Sequence, residues 1–364
     1  MNDTPDWLAH YLVYGSLPTP APVDDRPIEV VERNDWLEAL TIAIRNATAR
    51  CLDDNKRAAI GASGGLDSSL IMASCERRRL HAYHLDIGQD EEEYASYAID
   101  ATGQWPGGAR RLDFNDRFLK ETTDALGEPA ADPATQATFM LARWAAEDGA
   151  EVLLSGLCAD EMTGSYGRFV RHRDDLDADN YPAELTVFRP SDVAALTGAE
   201  CDDGIYDHVW RHLRQWPSGE FVNALGWMDL QTYAHSCQRM TSKLGSAVGL
   251  EVRYPFADPE VTDLLMSMPT RHKMGEKGKV PLKRIAESVF GDEFANRAKR
   301  GFGAPIREWV CKHQRAAYDV ICTPSYIDNE AAARVVGDFS HPLWAHRVWA
   351  LYVLGRWEGE SNGN

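Results

Sequence analysis

The chain is short of positive charge. Its 364 residues include 38 Lys and Arg against 56 Asp and Glu, a formal net charge of −18. A surface this acidic repels nucleic-acid backbones and anionic membranes unless its cations are gathered in one place, so neither is expected as a partner. No window approaches 18 uninterrupted apolar residues, which excludes a membrane-spanning helix. The N-terminus, Met1-Asn2-Asp3-Thr4-Pro5-Asp6, lacks the basic flank and apolar core of a secretory leader. The seven cysteines are odd in number and form no Cys-x-x-Cys pair, which argues against a zinc ribbon and for a reducing compartment. A cytoplasmic location is therefore expected. There is no internal repeat and no low-complexity tract.

What is present centres on one stretch, Ala59-Ile-Gly-Ala-Ser-Gly-Gly-Leu-Asp-Ser-Ser-Leu-Ile71. An apolar run ends at Ser63, two glycines follow, and from Asp67 the pattern turns helical. A strand, a tight glycine turn and a helix start leave free backbone N–H groups and the positive end of the helix dipole pointing into the turn, which suits an anion. Ser63, Ser68 and Ser69 add hydroxyl donors, and the Asp67 carboxylate can hold Mg²⁺ against phosphate oxygens. The turn reads as a phosphate cradle.

Apolar strands alternate with amphipathic helices over the first half of the chain. Helices are predicted at Asp35–Cys51, Glu91–Ala101, Asn115–Leu126 and Thr135–Asp148, and further strands at His81–Ile87, Arg110–Phe114 and Glu151–Leu154. This alternation implies an α/β fold with a doubly wound parallel sheet, whose ligands bind at the carboxyl ends of the strands. Ser63–Ser69, Ile87-Gly88 and Ser155-Gly156 all fall there. Residues 1–34 read as an N-terminal arm, with an amphipathic piece at Trp7–Tyr14 and a proline-rich stretch from Leu17 to Pro27, ahead of one domain over 35–364. The segment Arg168–Gly204 reads as an irregular surface excursion. Beyond it the chain is mostly helical, with helices predicted at Ile205–Gln215, Gly219–Leu244, Pro259–Met268, Pro281–Phe290 and Pro342–Trp357.

A second constellation, Ser155-Gly-Leu-Cys-Ala-Asp-Glu161, places Asp160 and Glu161 just after a strand end. Asp67 and Asp160, one at each of two strand ends, supply the hard oxygen ligands that a polyphosphate-bound Mg²⁺ needs.

The string Ser63-Gly-Gly-Leu-Asp-Ser-Ser69 resembles the pyrophosphate loop of the N-type ATP pyrophosphatases. With Ser155-Gly-x-x-x-Asp-Glu161, Gly249-Leu-Glu-Val-Arg-Tyr-Pro-Phe-Ala-Asp258, Lys279-Val-Pro-Leu-Lys-Arg284 and Arg297-Ala-Lys-Arg-Gly-Phe-Gly-Ala-Pro305 in order, the chain is similar to the synthetase domain of asparagine synthetase B-type enzymes. That group also includes β-lactam synthetases and lasso-peptide cyclases. The resemblance covers about residues 35–310 and implies an adenine nucleotide alpha-hydrolase-like sheet with a helical C-terminal half. It implies an ATP-dependent amide-forming ligase that adenylates a carboxylate, releases pyrophosphate and passes the acyl group to ammonia or an amine. By the same resemblance Ser63, Gly64, Gly65, Asp67, Ser68 and Ser69 would bind pyrophosphate, while Asp67 and Asp160 would hold Mg²⁺. Backbone near Gly61, Ile87 and Gly156 would receive adenine, Lys283 would be the catalytic lysine, and Lys299 and Arg300 would add charge near the phosphates. Glu251 and Arg253 look like a structural ion pair.

Two departures stand out. The complete enzymes begin with a glutaminase domain whose nucleophile is a cysteine after the initiator Met, whereas Asn2 stands here. The expectation is a synthetase without its own glutaminase, supplied by free ammonia, an amine or a separate glutaminase partner. Leu157 takes the position where asparagine synthetases carry glutamate and β-lactam synthetases tyrosine, and leucine neither takes nor gives a proton. Glu220 is the candidate base in its place, and Cys158, where glycine is usual, reads as a small buried residue. Two other functions are consistent with the loop: a sulfur or nitrogen transferase acting on tRNA or a small molecule, and a nucleotide-binding scaffold without catalysis. The acidic charge and the missing Cys-x-x-Cys weigh against the first.

Overall fold

A computed structural model describes residues 5–18, 29–52, 55–88, 91–112, 114–172, 181–213, 216, 220–276, 278–297 and 302–361. Five strands, β1 (Ala58–Gly61), β2 (Leu80–Asp86), β3 (Trp105–Arg111), β4 (Val152–Leu154) and β5 (Glu251–Arg253), form one sheet in the order β3-β2-β1-β4-β5. All four pairings are parallel. From β1 the chain winds outward through β2 and β3, then returns to β1's other side for β4 and β5. The carboxyl ends of β1 and β4 therefore flank the point where the winding reverses, the place where open α/β sheets bind ligands.

The strands read as apolar runs because both faces are covered. Ala58, Ile60, Leu80, Ala82, Val152 and Leu154 pack under helices Trp36–Arg50, Leu66–Ala73 and Val280–Phe290 on one face. Ala59, Tyr83 and Leu153 face helix Ala134–Glu147 on the other, where Tyr83 meets Trp144 edge-on at 4.8 Å. The doubly wound sheet and the helical C-terminal half follow the sequence reading.

Several boundaries differ from it. β3 starts at Trp105 and ends at Arg111, earlier than Arg110–Phe114, because this edge strand leaves its side chains largely exposed and carries no apolar run to mark it. β5 was not predicted; its one apolar residue, Val252, lies between two charged ones, and the strand holds the sheet edge through the pairing with β4. Glu251 and Arg253 do pair across two 2.8 Å bonds. The helix predicted over Gly219–Leu244 is two, Phe221–Gln231 and Tyr233–Ala247, broken at Thr232 (φ −121°, ψ −83°). The excursion after Arg168 contains helices Gly167–His172 and Pro190–Thr197; residues 173–180 lie outside the described residues. Helices Ile306–Ile321 and Asn329–Gly337 were also unread.

The N-terminal piece is helix Leu8–Tyr14, with Leu8, Tyr11, Leu12 and Val13 fully buried. The Tyr11 hydroxyl donates to the Ala350 carbonyl at 2.8 Å, which fixes it against the C-terminal helix Trp344–Ser361. The proline-rich stretch falls largely on residues 19–28, outside the described residues.

Lys273 is fully buried and donates to Asn223 Oδ1 at 2.6 Å, while Asn223 Nδ2 donates to the Met266 and Met268 carbonyls at 3.1 Å. Burial pulls the Lys273 ammonium down to about 7, against the opposing pull of Glu220. An unfolded lysine keeps its proton to about pH 10.4. Between these values the unfolded chain binds the extra proton, so this residue makes stability rise with pH. Urea midpoints are expected to climb from pH 7 to pH 9.5 in the wild type and to climb less in Lys273→Met. Equal slopes in the two proteins would contradict the assignment.

Candidate active site

The loop after β1 is shaped by backbone geometry. Gly64 sits at φ +70°, and a Cβ there would lie 3.0 Å from Tyr94 Cβ and 3.2 Å from the Glu91 carbonyl, so only glycine fits without a shift. Ser63 Oγ accepts from the Gly65 N–H at 3.2 Å and meets Ser68 Oγ at 3.3 Å. Helix Leu66–Ala73 then begins with Asp67 in its first turn. The Ser69 hydroxyl donates to the Gly65 carbonyl at 2.8 Å and so braces the turn from inside the helix. Arg297 closes the loop from outside: it donates to the Gly64 carbonyl, reaches Glu91 at 3.2 Å, and lies 4.4 Å over the Tyr94 ring.

The loop after β4 approaches it closely. A Cβ on Gly156 would come within 2.8 Å of Asp67 Cβ. Cys158 adopts φ +79° and is buried, a left-handed conformation natural to glycine. Burial pushes its thiol well up, which fits a packing residue. Helix Ala159–Thr163 then presents Asp160 and Glu161.

The two carboxylates converge on a lysine that the sequence reading passed over. Lys279 Nζ lies 2.7 Å from both Asp67 oxygens and 2.8 Å from Asp160 Oδ1. Ser165 donates to the same Asp160 oxygen. Burial alone would lower the Lys279 ammonium, but the two carboxylates outweigh it and hold it above its ordinary value. Lys279 sits at φ +58° just before helix Val280–Phe290, which turns its side chain into the sheet. Lys283 lies one turn on, its N–H bonded to the Lys279 carbonyl at 2.9 Å, and also lines the cavity. The Lys279–Arg284 motif contained both lysines; only the backbone at Lys279 distinguishes them.

These groups open into a cavity of about 680 Å³, within the range that holds small-molecule substrates. Gly61, Ser63, Gly65, Asp67, Ser68, Ile87, Gly156, Leu157, Asp160 and Lys283, all named from the sequence or its resemblance, line it. Gly64 and Ser69 stand behind the lining and support it. Lys299 and Arg300 lie outside the described residues.

Glu220 is placed elsewhere. It accepts from the Thr270 N–H at 2.8 Å and its hydroxyl at 2.7 Å, and it is not among the cavity's described lining residues. The break at Thr232 explains this, because it redirects the chain so that Tyr233, Cys237, Met240 and Thr241 face the cavity instead. Across from the Ser63–Ser69 loop the wall is built by these residues together with Asp132, Glu161 and Tyr166. The Tyr166 hydroxyl donates to Glu161 Oε1 at 2.7 Å, while Glu161 Oε2 is buried with no hydrogen-bond partner among the described residues. Burial, then the neighbouring Asp160, push the Glu161 carboxyl up to about 7. Burial likewise raises Asp132, although its Oδ1 accepts from the Ala134 N–H at 2.7 Å.

Tyr166 is held from behind by Arg168, whose guanidinium lies 4.3 Å over its ring and donates to the fully buried Asp229. Breaking a buried pair leaves a charge without its partner and costs about 3–5 kcal/mol. Arg168→Met is expected to lose that much in urea unfolding, with most of it recovered in the double variant Arg168→Met/Asp229→Leu. An unchanged midpoint in the single variant would show the pair to be inert.

The asparagine synthase family model matches residues 39–358. The chain belongs to the asparagine synthase family. Among curated relatives, a putative glutamine-hydrolysing asparagine synthetase of Mycobacterium bovis is 24% identical over 88% of this chain and 57% of its own length. Glutamine-hydrolysing asparagine synthetase 1 of Bacillus subtilis is 22% identical over 81% of this chain and 55% of its own length. The chain thus spans little more than half the length of these asparagine synthase relatives. At such identity the family is secure while the far wall of the cavity is free to differ. Among the described residues no helix is long and apolar enough to cross a membrane.

Proposed function

We propose that this asparagine synthase family member is an ATP-dependent, AMP-forming amide ligase. The observation that carries the reading is Lys279, held within 2.8 Å of Asp67 and Asp160 at the reversal point of the sheet. Adenylyl transfer depends on placed cations and dipoles more than on covalent help from the protein, and this arrangement supplies them. The Ser63–Ser69 turn would take the β- and γ-phosphates on its N–H groups and hydroxyls. The substrate carboxylate oxygen would attack the α-phosphorus as the bond to the β-phosphate breaks, with Lys279 and Lys283 facing the charge that grows on the departing pyrophosphate. An amine or ammonia nitrogen would then attack the acyl carbon, expelling AMP and losing a proton.

Asp67 and Asp160 fit a magnesium ion carried by ATP. Their oxygens converge on one point beside the Ser165 hydroxyl, and phosphate and water can complete the shell. When bound, the ion would draw electron density from the phosphate oxygens; Lys279 would be the group that neutralises the same carboxylates without it.

The test is pyrophosphate release from Mg-ATP over a panel of carboxylic acids, with hydroxylamine as the trapping amine. At least one acid is expected to give stoichiometric pyrophosphate, AMP and hydroxamate. ATP binding without turnover across the panel would favour the scaffold reading, and AMP formation without hydroxamate would point to another acceptor.

A further inference from the structure

The point where Asp67 and Asp160 meet is already taken by a cation of the chain's own. Lys279 Nζ lies 2.7 Å from both Asp67 oxygens and 2.8 Å from Asp160 Oδ1. That is three oxygens for the three protons an ammonium can donate. The Lys279 side chain is 5% exposed and each aspartate side chain 18%, so dissolved salt screens the cluster little. The Ser165 hydroxyl donates to Asp160 Oδ1 as well, which gives that oxygen two donors.

The backbone that carries this lysine is fixed. Its N–H donates at 2.9 Å to the carbonyl of Thr163, the last residue of the helix that bears Asp160, and its own carbonyl accepts from the Lys283 N–H at 2.9 Å. Just before it, Gly278 packs so closely on the end of that helix that a Cβ there would collide with the Gly164 carbonyl. Lys279 and Asp160 are therefore joined through the main chain, and the movable part is the lysine's flexible four-carbon stem. On its other side lies the Ser63–Ser69 turn, whose Asp67 shares the same ammonium.

An ammonium and a divalent ion need the same oxygens. A bare metal ion can reach them only by expelling the ammonium and then lying beside it, with no added negative charge to offset their repulsion. Lys283, one helical turn on and also lining the cavity, adds to that repulsion. Arg297 is engaged by the Gly64 carbonyl and Glu91. A polyphosphate that carries the metal brings the missing negative charge, and it offers the displaced ammonium new oxygens.

We propose that Lys279 is an exchangeable counter-ion that closes the Asp67–Asp160 pair to free divalent metal and opens it to a metal–polyphosphate complex. The lysine released from the carboxylates is then the one that turns to the phosphates. The opening rests on the proposed nucleotide reading, whereas the exclusion of bare metal stands on Lys279 and the two aspartates alone.

The probe is Mn²⁺, which takes the same oxygen ligands as Mg²⁺ and is followed by electron paramagnetic resonance. It is titrated at about 0.15 M salt, which screens the acidic surface, alone and with α,β-methylene-ATP, whose α–β bridge resists cleavage. Titration of the analogue without protein separates its own Mn²⁺ complex from the protein-bound ion. Wild type is expected to hold Mn²⁺ at least about tenfold more tightly with the analogue than without. Lys279→Met and Lys279→Gln are each expected to hold bare Mn²⁺ at least about tenfold more tightly than wild type does. Glutamine keeps an amide donor for the carboxylates, so it serves where methionine prevents folding. Adding Asp160→Asn to either variant is expected to remove the gain, which separates the pair from surface carboxylates. Wild type that binds bare Mn²⁺ as tightly as the lysine variants, or that binds the analogue without gaining Mn²⁺, would overturn the proposal. Bare Mn²⁺ held tightly by the variants and not by wild type, with the analogue bound by none of them, would uphold the exclusion and overturn the nucleotide reading.

Discussion

Lys279→Met should reduce pyrophosphate release by about 10³-fold, the scale set by removing a placed group that stabilises developing charge. The variant removes the cation at the convergence of Asp67 and Asp160 and leaves the two carboxylates facing each other across a buried gap. Two consequences are expected. The chain becomes less stable, because a broken buried ion pair costs about 3–5 kcal/mol, and the remaining activity saturates at lower magnesium, because no ammonium competes with the ion for the two carboxylates. Lys283→Ala keeps that cluster intact and should lose only about tenfold, on the same electrostatic reasoning applied to a more distant charge. Initial rates at several magnesium concentrations, with melting temperatures of both variants, decide between the lysines. A larger loss for Lys283→Ala would reverse their roles.

Gly64→Ala is the second large effect. Alanine at φ +70° costs about 1–2 kcal/mol in backbone energy, and its Cβ would press on Tyr94 Cβ at 3.0 Å and on the Ala95 nitrogen and Glu91 carbonyl at 3.2 Å. Tyr94 and Arg297 hold the loop from that side, so relief has to come from moving the turn itself. A turn displaced from the phosphates should weaken ATP binding by about 10²-fold, or nearly 3 kcal/mol, with the melting temperature falling only slightly. Calorimetric ATP binding measures this directly, and wild-type affinity in the variant would show that the turn does not hold the nucleotide.

Much of the phosphate side was legible because its chemistry is written in local order. Glycines at a strand end, hydroxyls beside them and an aspartate in the first helical turn need no distant partner to be recognised. Asp160 was readable for the same reason. Lys279 was not, because two lysines four residues apart share a helical face, and the choice between them rests on a left-handed backbone at Lys279. Glu220 illustrates the opposite failure. Its place in the sequence put it near the acyl pocket, but the break at Thr232 turned the following helix inward and left Glu220 capping Thr270. Asp132 and Tyr233 gave no local signal at all: one precedes a helix as any capping aspartate does, and the other begins one. Their meaning arises only where two distant segments meet. β5 went unread because a strand of three residues with Val252 as its one apolar member carries no hydrophobic period.

The break at Thr232 also separates what this protein can change from what it must keep. Tyr233, Cys237, Met240 and Thr241 stand on one face of a single helix, while the groups proposed to face phosphate are carried by strand-end turns and the Lys279 bend. Duplicated copies of the gene could therefore diverge in which molecule they accept by altering that one face, with the energy-transducing half inherited intact. For the engineer the same division means that a combinatorial library at these four codons samples new acceptors and donors without revisiting the nucleotide turn.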